Sequence, residues 1–121
     1  MTLPMTWCGH LAALGSLLLC ACTVANGQGA GVARGQQLLA RYQCGSCHVI
    51  PGVAASRGQF TVSLASFDRR SYIAGRVANQ PEMLARWIAA PASVVPGTRM
   101  PDMGVSAADA RDMAAYLGTL R

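Results

Sequence analysis

Apolar positions along the chain form one continuous run near its start and a spaced pattern afterwards. Residues 11–25 (LAALGSLLLCACTVA) are all apolar or small. Further along, Leu38, Leu39 and Tyr42 recur at helical spacing, and side chains three to four positions apart lie on one side of an α-helix. This pattern predicts a first helix over residues 33–43.

Two further helices are predicted in the second half of the chain. Asn79 or Gln80 can cap the first of them, Pro81 suits its first turn, and Pro91 stops it. The other opens with a near capping box, Ser106-Ala-Ala-Asp109, in which Asp replaces the usual Glu. The predicted buried positions are Leu84, Trp87 and Ile88 in the first of these helices and Met113, Tyr116, Leu117 and Leu120 in the last.

The segments between these helices are rich in turn-forming residues and are predicted as loops. Glycines and prolines recur through residues 44–71 and again through residues 96–101. A short helix is predicted over residues 70–77, and no segment alternates convincingly as a strand. The fold class is therefore all-α, with a few helices separated by long loops. Long loops in so small a domain need something to wrap around.

The apolar run at residues 11–25 changes the picture of the first part of the chain. It is shorter than the roughly 20 residues that span a bilayer, and it suits the apolar region of a secretory signal peptide, with an uncleaved anchor as the alternative. Two cleavage schemes stay open. Leu19-Cys20-Ala21-Cys22 resembles a lipoprotein box that would place lipid on Cys22, whereas an ordinary signal peptidase would cut after Ala25.

These features divide the chain into three parts. We predict a signal peptide over residues 1–22, reaching residue 25 under ordinary cleavage, then a flexible tether over residues 23–32 and one domain over residues 33–121. The tether is predicted from the glycine-rich residues 26–32. The protein is expected in the periplasm as a monomer, with a lipid anchor on Cys22 as one of the two schemes.

Charge narrows the classes of partner. The net charge is +5, and the ten arginines are scattered along the chain without a cluster. A nucleic-acid-binding surface is therefore not expected. The charge is compatible with a basic face that docks an acidic protein partner.

The chemistry is concentrated in Cys44-Gly-Ser-Cys47-His48, the pattern of covalent haem attachment. Two thiols three residues apart can add to the vinyl groups on one haem edge, and His48 then meets the iron from one side. The alternatives are a redox-active CxxC pair and half of a zinc site. Zinc needs four ligands, and a thioredoxin-like motif belongs in a βαβ setting that this chain does not predict. The motif therefore favours one haem c.

A methionine is the expected ligand on the other side of the iron, where a thioether raises the reduction potential. Met83 and Met113 lie in predicted helices at core spacing, which favours packing. Met100 lies in the turn-rich segment Pro96-Gly-Thr-Arg-Met-Pro101, fifty-two residues after His48. We predict Met100 as this ligand and keep Met103 as its rival.

Together these motifs resemble the class I cytochrome c family: CxxCH near the start, PGTxMP in a loop and a closing Ala-Tyr-Leu-x-x-Leu helix. Other segments are similar to the cytochrome domain of subunit II of caa-type oxidases and to small free-standing bacterial cytochromes. These segments are Arg70-Ser-Tyr-Ile-Ala-Gly75, Asn79-Gln-Pro-Glu82, Arg86-Trp-Ile-Ala-Ala-Pro91 and Met100-Pro-Asp-Met-Gly-Val105. The resemblance covers residues 33–121 and implies the cytochrome c fold wrapped around one covalent haem.

The resemblance also implies roles for individual residues. Arg70 would reach a haem propionate, with a solvated surface charge as the alternative, and Trp87 would lie over the haem on the methionine side. Gly35 would meet Tyr116 or Leu117 where the first and last helices cross.

One stretch departs from the family's pattern. Thr61-Val62-Ser63 stands where relatives carry a Gly-Pro step just before the apolar residue matched by Leu64. In the family, the carbonyl of that proline accepts the Nδ1 hydrogen of the ligand histidine. Val62 retains a carbonyl for this hydrogen bond, which orients the ligand and tunes its basicity.

A haem closed on both sides by His48 and Met100 has no open iron position, so we predict an electron carrier rather than an enzyme. Its expected partners are redox proteins, in particular a respiratory terminal oxidase. Two alternatives remain: a five-coordinate haem protein for ligand binding or catalysis, and a haem-free CxxC redox protein.

Overall fold

The computed structural model describes residues 22–121, so residues 1–21 of the predicted signal peptide lie outside the described residues. Two 3₁₀ turns lie at Cys44–Ser46 and Phe67–Arg69. The remaining elements are α1 (Cys22–Arg41), β1 (Tyr72–Ile73), β2 (Val77–Ala78), α2 (Pro81–Ala89), α3 (Pro91–Val94) and α4 (Ala107–Leu117). The predicted all-α class is thus confirmed apart from one short hairpin. Within residues 22–121, no helix is long and apolar enough to cross a lipid bilayer.

Helix α1 corrects the predicted tether. The helix predicted over residues 33–43 begins much earlier, at Cys22, so the glycine-rich residues 26–32 are helical and not irregular. Gly27 and Gly29 face open space, whereas Gly31 approaches the Asp112 side chain of α4 and Val32 packs against the core. Glycine lowers helix propensity without breaking the hydrogen-bond ladder as proline would. The contacts of Gly31 with Asp112 and of Val32 with the core therefore stabilise the helical conformation of this segment.

The helix predicted over residues 70–77 is wrong, because this segment is the β1–β2 hairpin. Ala74 and Gly75 lie between the strands with φ values of 50° and 66°, and the Arg76 amide donates to the Ile73 carbonyl at 3.0 Å. Two successive residues with positive φ form the tight turn that suits the twist of a hairpin. This backbone is incompatible with a right-handed helix.

Helices α2 and α4 follow their predicted patterns except at the start of α2. Gln80 lies at its N-cap position without a side-chain capping bond, and the Asn79 side chain donates instead to carbonyls of the preceding loop. Pro81 is the first residue of α2, and Pro91, where the helix was predicted to stop, begins α3. The Ser106 hydroxyl accepts the Asp109 amide at 3.1 Å, which caps α4. Leu120 lies beyond the end of α4 and is half-buried. The other predicted apolar positions are buried as expected, namely Leu84, Trp87 and Ile88 in α2 and Met113, Tyr116 and Leu117 in α4.

Helices α1 and α4 cross at Gly35 with their backbones in contact. A Cβ atom on Gly35 would overlap with the Asp112 carbonyl and would lie 3.0 Å from the Met113 amide nitrogen. The close approach expected at Gly35 is therefore present, but its partners are Asp112 and Met113 instead of Tyr116 or Leu117. The absence of a side chain at Gly35 lets the apolar stripes of both helices meet in one core.

Polar side chains also join α1 and α4 on the solvent-exposed side of the same crossing. Arg34 forms ion pairs with Asp109 and Asp112, and the Tyr42 hydroxyl donates to the Asp109 carboxylate at 2.8 Å. The Tyr42 hydrogen bond and the Arg34 guanidinium lower the pKa of Asp109 below its ordinary value. Asp109 was predicted only for its capping position, yet its carboxylate joins the two ends of the domain.

The crossing yields a paired prediction on one helix. Gly35→Ala should lower the free energy of unfolding by about 2 kcal/mol, because the added methyl forces two backbones apart. Gly29→Ala, on the open face of α1, should raise it by about 0.5–1 kcal/mol through helix propensity. Chemical denaturation of the purified protein measures both. A neutral Gly35→Ala would contradict the crossing, and a destabilising Gly29→Ala would contradict the extended helix.

Candidate functional site

A cleft of about 310 Å³ opens between the CxxCH segment, the β1–β2 hairpin, α2 and the 98–103 loop. Its walls are mainly apolar, and no Asp or Glu of the described residues lines it. The sequence predicts seven site residues or rivals, which come from four separate segments. All seven line this cleft: Cys44, Cys47, His48, Arg70, Trp87, Met100 and Met103.

A 3₁₀ turn over Cys44–Ser46 brings the two cysteines and the histidine together. Gln43 precedes it in the left-handed region with φ of 55°, and the Cys44 carbonyl accepts the Cys47 amide at 3.3 Å and the His48 amide at 3.0 Å. Both thiols are free, with Cys44 half-buried and Cys47 exposed. Burial raises the pKa of the Cys44 thiol. The turn thus presents two unpaired thiols beside one imidazole.

A second loop, residues 56–64, holds this turn in place from one side. The Gly45 carbonyl accepts the Gly58 amide at 3.0 Å, and the Leu64 amide donates to the Val49 carbonyl at 2.8 Å. A Cβ atom on Gly58 would overlap with the Cys47 backbone, so the two loops lie in direct backbone contact. Spacing in the sequence gave no signal for this contact, because it depends on how the loops fold.

A third set of hydrogen bonds holds the segment that follows His48. The Tyr116 hydroxyl of α4 donates to the Pro51 carbonyl at 2.8 Å, and the Gln36 side chain of α1 donates to the Gly52 carbonyl. Tyr116 was predicted only as a core residue, although a buried tyrosine hydroxyl usually finds a polar partner. These bonds join the α1–α4 crossing to the histidine segment.

The His48 ring is oriented through Nδ1, which lies 2.8 Å from the Val62 carbonyl oxygen. A carbonyl oxygen only accepts hydrogen bonds, so Nδ1 carries the proton and Nε2 carries a free lone pair. The bond that the resemblance implied is therefore present despite the altered 61–63 stretch. The Thr61 hydroxyl also lies 2.8 Å from Nδ1, a contact that no pattern in the sequence indicated. The donor set thus fits a metal bound through Nε2.

Two methionines from one loop line the cleft. Met100 is half-buried and packs against the core, whereas the side chain of Met103 is 42% exposed. Gly97 turns the loop with φ of 78°, and the Met100 amide donates to the Thr98 hydroxyl at 3.2 Å. The greater burial favours Met100 as the sulfur nearer the centre of the cleft.

Arg70 and Trp87 lie on other walls. The Arg70 guanidinium donates to the Ser63 carbonyl and lies 5.5 Å from the centre of the Phe67 ring. The Arg70 guanidinium is therefore held by contacts with the protein and is not a freely solvated surface charge. The Trp87 side chain is buried in α2. Both residues contribute to the lining of the cleft, and their contact with a haem stays a prediction.

The comparisons agree with this arrangement. The cytochrome c family model matches residues 32–121, so the chain belongs to the cytochrome c family. It is also similar to a cytochrome c oxidase subunit 2 from Alkalihalophilus pseudofirmus, with 32% identity over 89 residues. That match covers 73% of this chain and 25% of the relative, so this chain spans about a quarter of that protein's length. No solved structure matched the chain.

Membership shows the cytochrome c fold and the family's cofactor, a covalently attached haem c, and it implies electron transfer. The residues of the cleft fit this cofactor. Two free thiols are available for thioether bonds, and one imidazole offers its Nε2 lone pair. The apolar walls suit a macrocycle.

The two cysteines of the CxxCH motif give the second prediction. Cys44→Ala combined with Cys47→Ala should abolish covalent haem and leave no cooperative thermal transition, because the loops lose the centre around which they pack. Haem staining on a denaturing gel and circular dichroism measure the two effects. Ser46→Ala, within the same motif, should keep covalent haem. A double variant that melts like the wild type without haem would contradict the prediction.

Proposed function

We propose that this protein carries single electrons through a haem c ligated by His48 and Met100, to or within a respiratory terminal oxidase in the periplasm. The observation that carries the proposal is the single cleft that joins both cysteines, His48 and Met100. The rest of the chain orients these side chains and encloses them.

The chain's own residues define what the site can do. When bound, haem c supplies an iron that alternates between ferrous and ferric states. His48 would bind the iron through Nε2, because Val62 accepts the Nδ1 proton, and Met100 would offer its thioether from the 98–103 loop. With both side chains bound to the iron, a substrate would have no site there. This is why we propose a carrier and not an enzyme.

The rim of the cleft supports a protein partner of acidic character. Arg70 and Arg99 line the cleft without an acidic residue among its described lining, and Val62, Tyr72 and Met103 are exposed apolar residues in the same lining. Positive charge around an apolar patch steers a negatively charged partner and speeds encounter. The name of the similar oxidase subunit favours a terminal oxidase as this partner.

The location belongs to the same proposal. If Cys22 bears lipid, the anchor is joined to the domain by α1, which begins at that residue. The linkage is then helical and not a free tether. Confinement at the membrane surface raises the effective concentration of the carrier near a membrane-bound oxidase.

The sixth ligand gives the third prediction. Met100→Ala should open one axial position, lower the reduction potential and admit one carbon monoxide per reduced haem, because alanine offers no thioether. Met103→Ala, three residues away in the same loop, is the matched control and should keep the wild-type spectrum. Optical spectra and redox titration measure both. Exchanged effects would assign the ligand to Met103, and a wild type that already binds carbon monoxide would favour the five-coordinate alternative.

The anchor gives the fourth prediction. Wild-type protein should fractionate with membranes, and Cys22→Ala should be soluble or remain unprocessed, because that side chain alone would receive the lipid. Cys20→Ala, in the middle of the same box, should keep membrane association. Soluble periplasmic wild-type protein that begins at Asn26 would contradict the anchor and leave electron transfer intact.

A further inference from the structure

The Thr61 hydroxyl sits between two parts of the haem-attachment segment. It lies 2.8 Å from His48 Nδ1 and 2.9 Å from the Cys47 carbonyl oxygen. The Val62 carbonyl lies 2.8 Å from the same Nδ1 atom. Two oxygen atoms, the Thr61 hydroxyl and the Val62 carbonyl, therefore lie within hydrogen-bond distance of Nδ1, and the Cys47 carbonyl is a further partner of the Thr61 hydroxyl.

The proton positions follow from the chemistry of these groups. The Val62 carbonyl requires the proton on Nδ1, and the Cys47 carbonyl requires the hydroxyl proton of Thr61, because carbonyl oxygens only accept. The Thr61 oxygen therefore faces Nδ1 with a lone pair. The single Nδ1–H group is shared between two acceptors, one from the backbone and one from a side chain.

We propose that Thr61 is a positioning residue that tunes His48 by accepting a share of its Nδ1 proton. This inference rests on the proposed role of His48 as an axial ligand. A second acceptor makes the ring a more electron-rich ligand through Nε2. A more basic ligand stabilises ferric over ferrous iron and lowers the reduction potential. The effect opposes the rise that the Met100 thioether causes.

The hydroxyl is held in this position by the loop around it. The Gly58 backbone packs against Cys47, and the Leu64 amide is bonded to the Val49 carbonyl, so the loop is fixed on both sides of Thr61. The bond to Cys47 then selects the side-chain orientation. A glycine here, as the resemblance to the family implies for this stretch, would carry no hydroxyl. The second acceptor is therefore a feature of this sequence and not of the family's pattern.

The test compares three variants of the haem-bearing protein by redox titration. Thr61→Val keeps the shape of the side chain and removes the acceptor. It should raise the reduction potential. At a fixed applied potential, the ratio of reduced to oxidised protein should rise about three- to tenfold, which is the effect of losing one modest hydrogen bond. Thr61→Ser keeps the hydroxyl and should restore the wild-type potential.

Ser63→Ala distinguishes an electronic effect on His48 from a general loosening of the 56–64 loop. It removes a hydroxyl that accepts the Ala65 amide at 3.2 Å in the same loop, and its side chain has no bond to the His48 ring. It should lower stability without moving the potential. An equal shift of potential in Ser63→Ala, or none in Thr61→Val, would overturn the inference.

The ring itself gives an independent readout. In the reduced protein, the ¹⁵N resonance of His48 Nδ1 should shift in Thr61→Val and return in Thr61→Ser, because it reports hydrogen bonding at that nitrogen. An unshifted resonance in Thr61→Val would overturn the inference. If the wild-type optical spectrum still shows a six-coordinate haem, the proposed function stands. A wild-type protein without covalent haem would overturn this inference and the proposed function together.

Discussion

The contact on which the rest of the structure depends is the backbone approach of α1 and α4 at Gly35. Since Gly35 has no side chain, the Asp112 carbonyl comes close enough for Leu39 of α1 and Met113 of α4 to share one core. The ion pairs of Arg34 with Asp109 and Asp112 reinforce the same crossing. The two ends of the domain are thereby joined, and the loops between them enclose the cleft.

The crossing also positions the chemistry. Tyr116 of α4 and Gln36 of α1 bond to the turn that follows His48, while the 56–64 loop packs on the other side of the attachment segment. The Nδ1 edge of the His48 imidazole is in turn held by hydrogen bonds with the Val62 and Thr61 oxygens. The extended α1 adds a helical link toward Cys22 where an irregular linker was expected.

The 61–63 stretch departs from the family's pattern and still keeps a backbone hydrogen bond to the histidine ring. The family's carbonyl partner for the histidine survives at Val62, so orientation of the ring does not require proline. The same departure introduces Thr61, whose hydroxyl reaches both the ring and the Cys47 carbonyl. The hydrogen bond from His48 Nδ1 to a backbone carbonyl is thus retained, and a side-chain hydroxyl is added beside it.

Local sequence alone determined the CxxCH motif, the cap of α4 and the buried faces of α2 and α4, because these features depend on spacing within a few residues, whereas Arg70 and Trp87 were indicated only by the resemblance to the family. Tertiary structure decided the rest. The β1–β2 hairpin, where a short helix was predicted, depends on the positive φ of Ala74 and Gly75. The glycine-rich start of α1 is helical because its later part packs on α4. The partners of Gly35, Tyr116 and Thr61 are remote along the chain or lie in facing loops, and only the packed backbone brings them within contact distance.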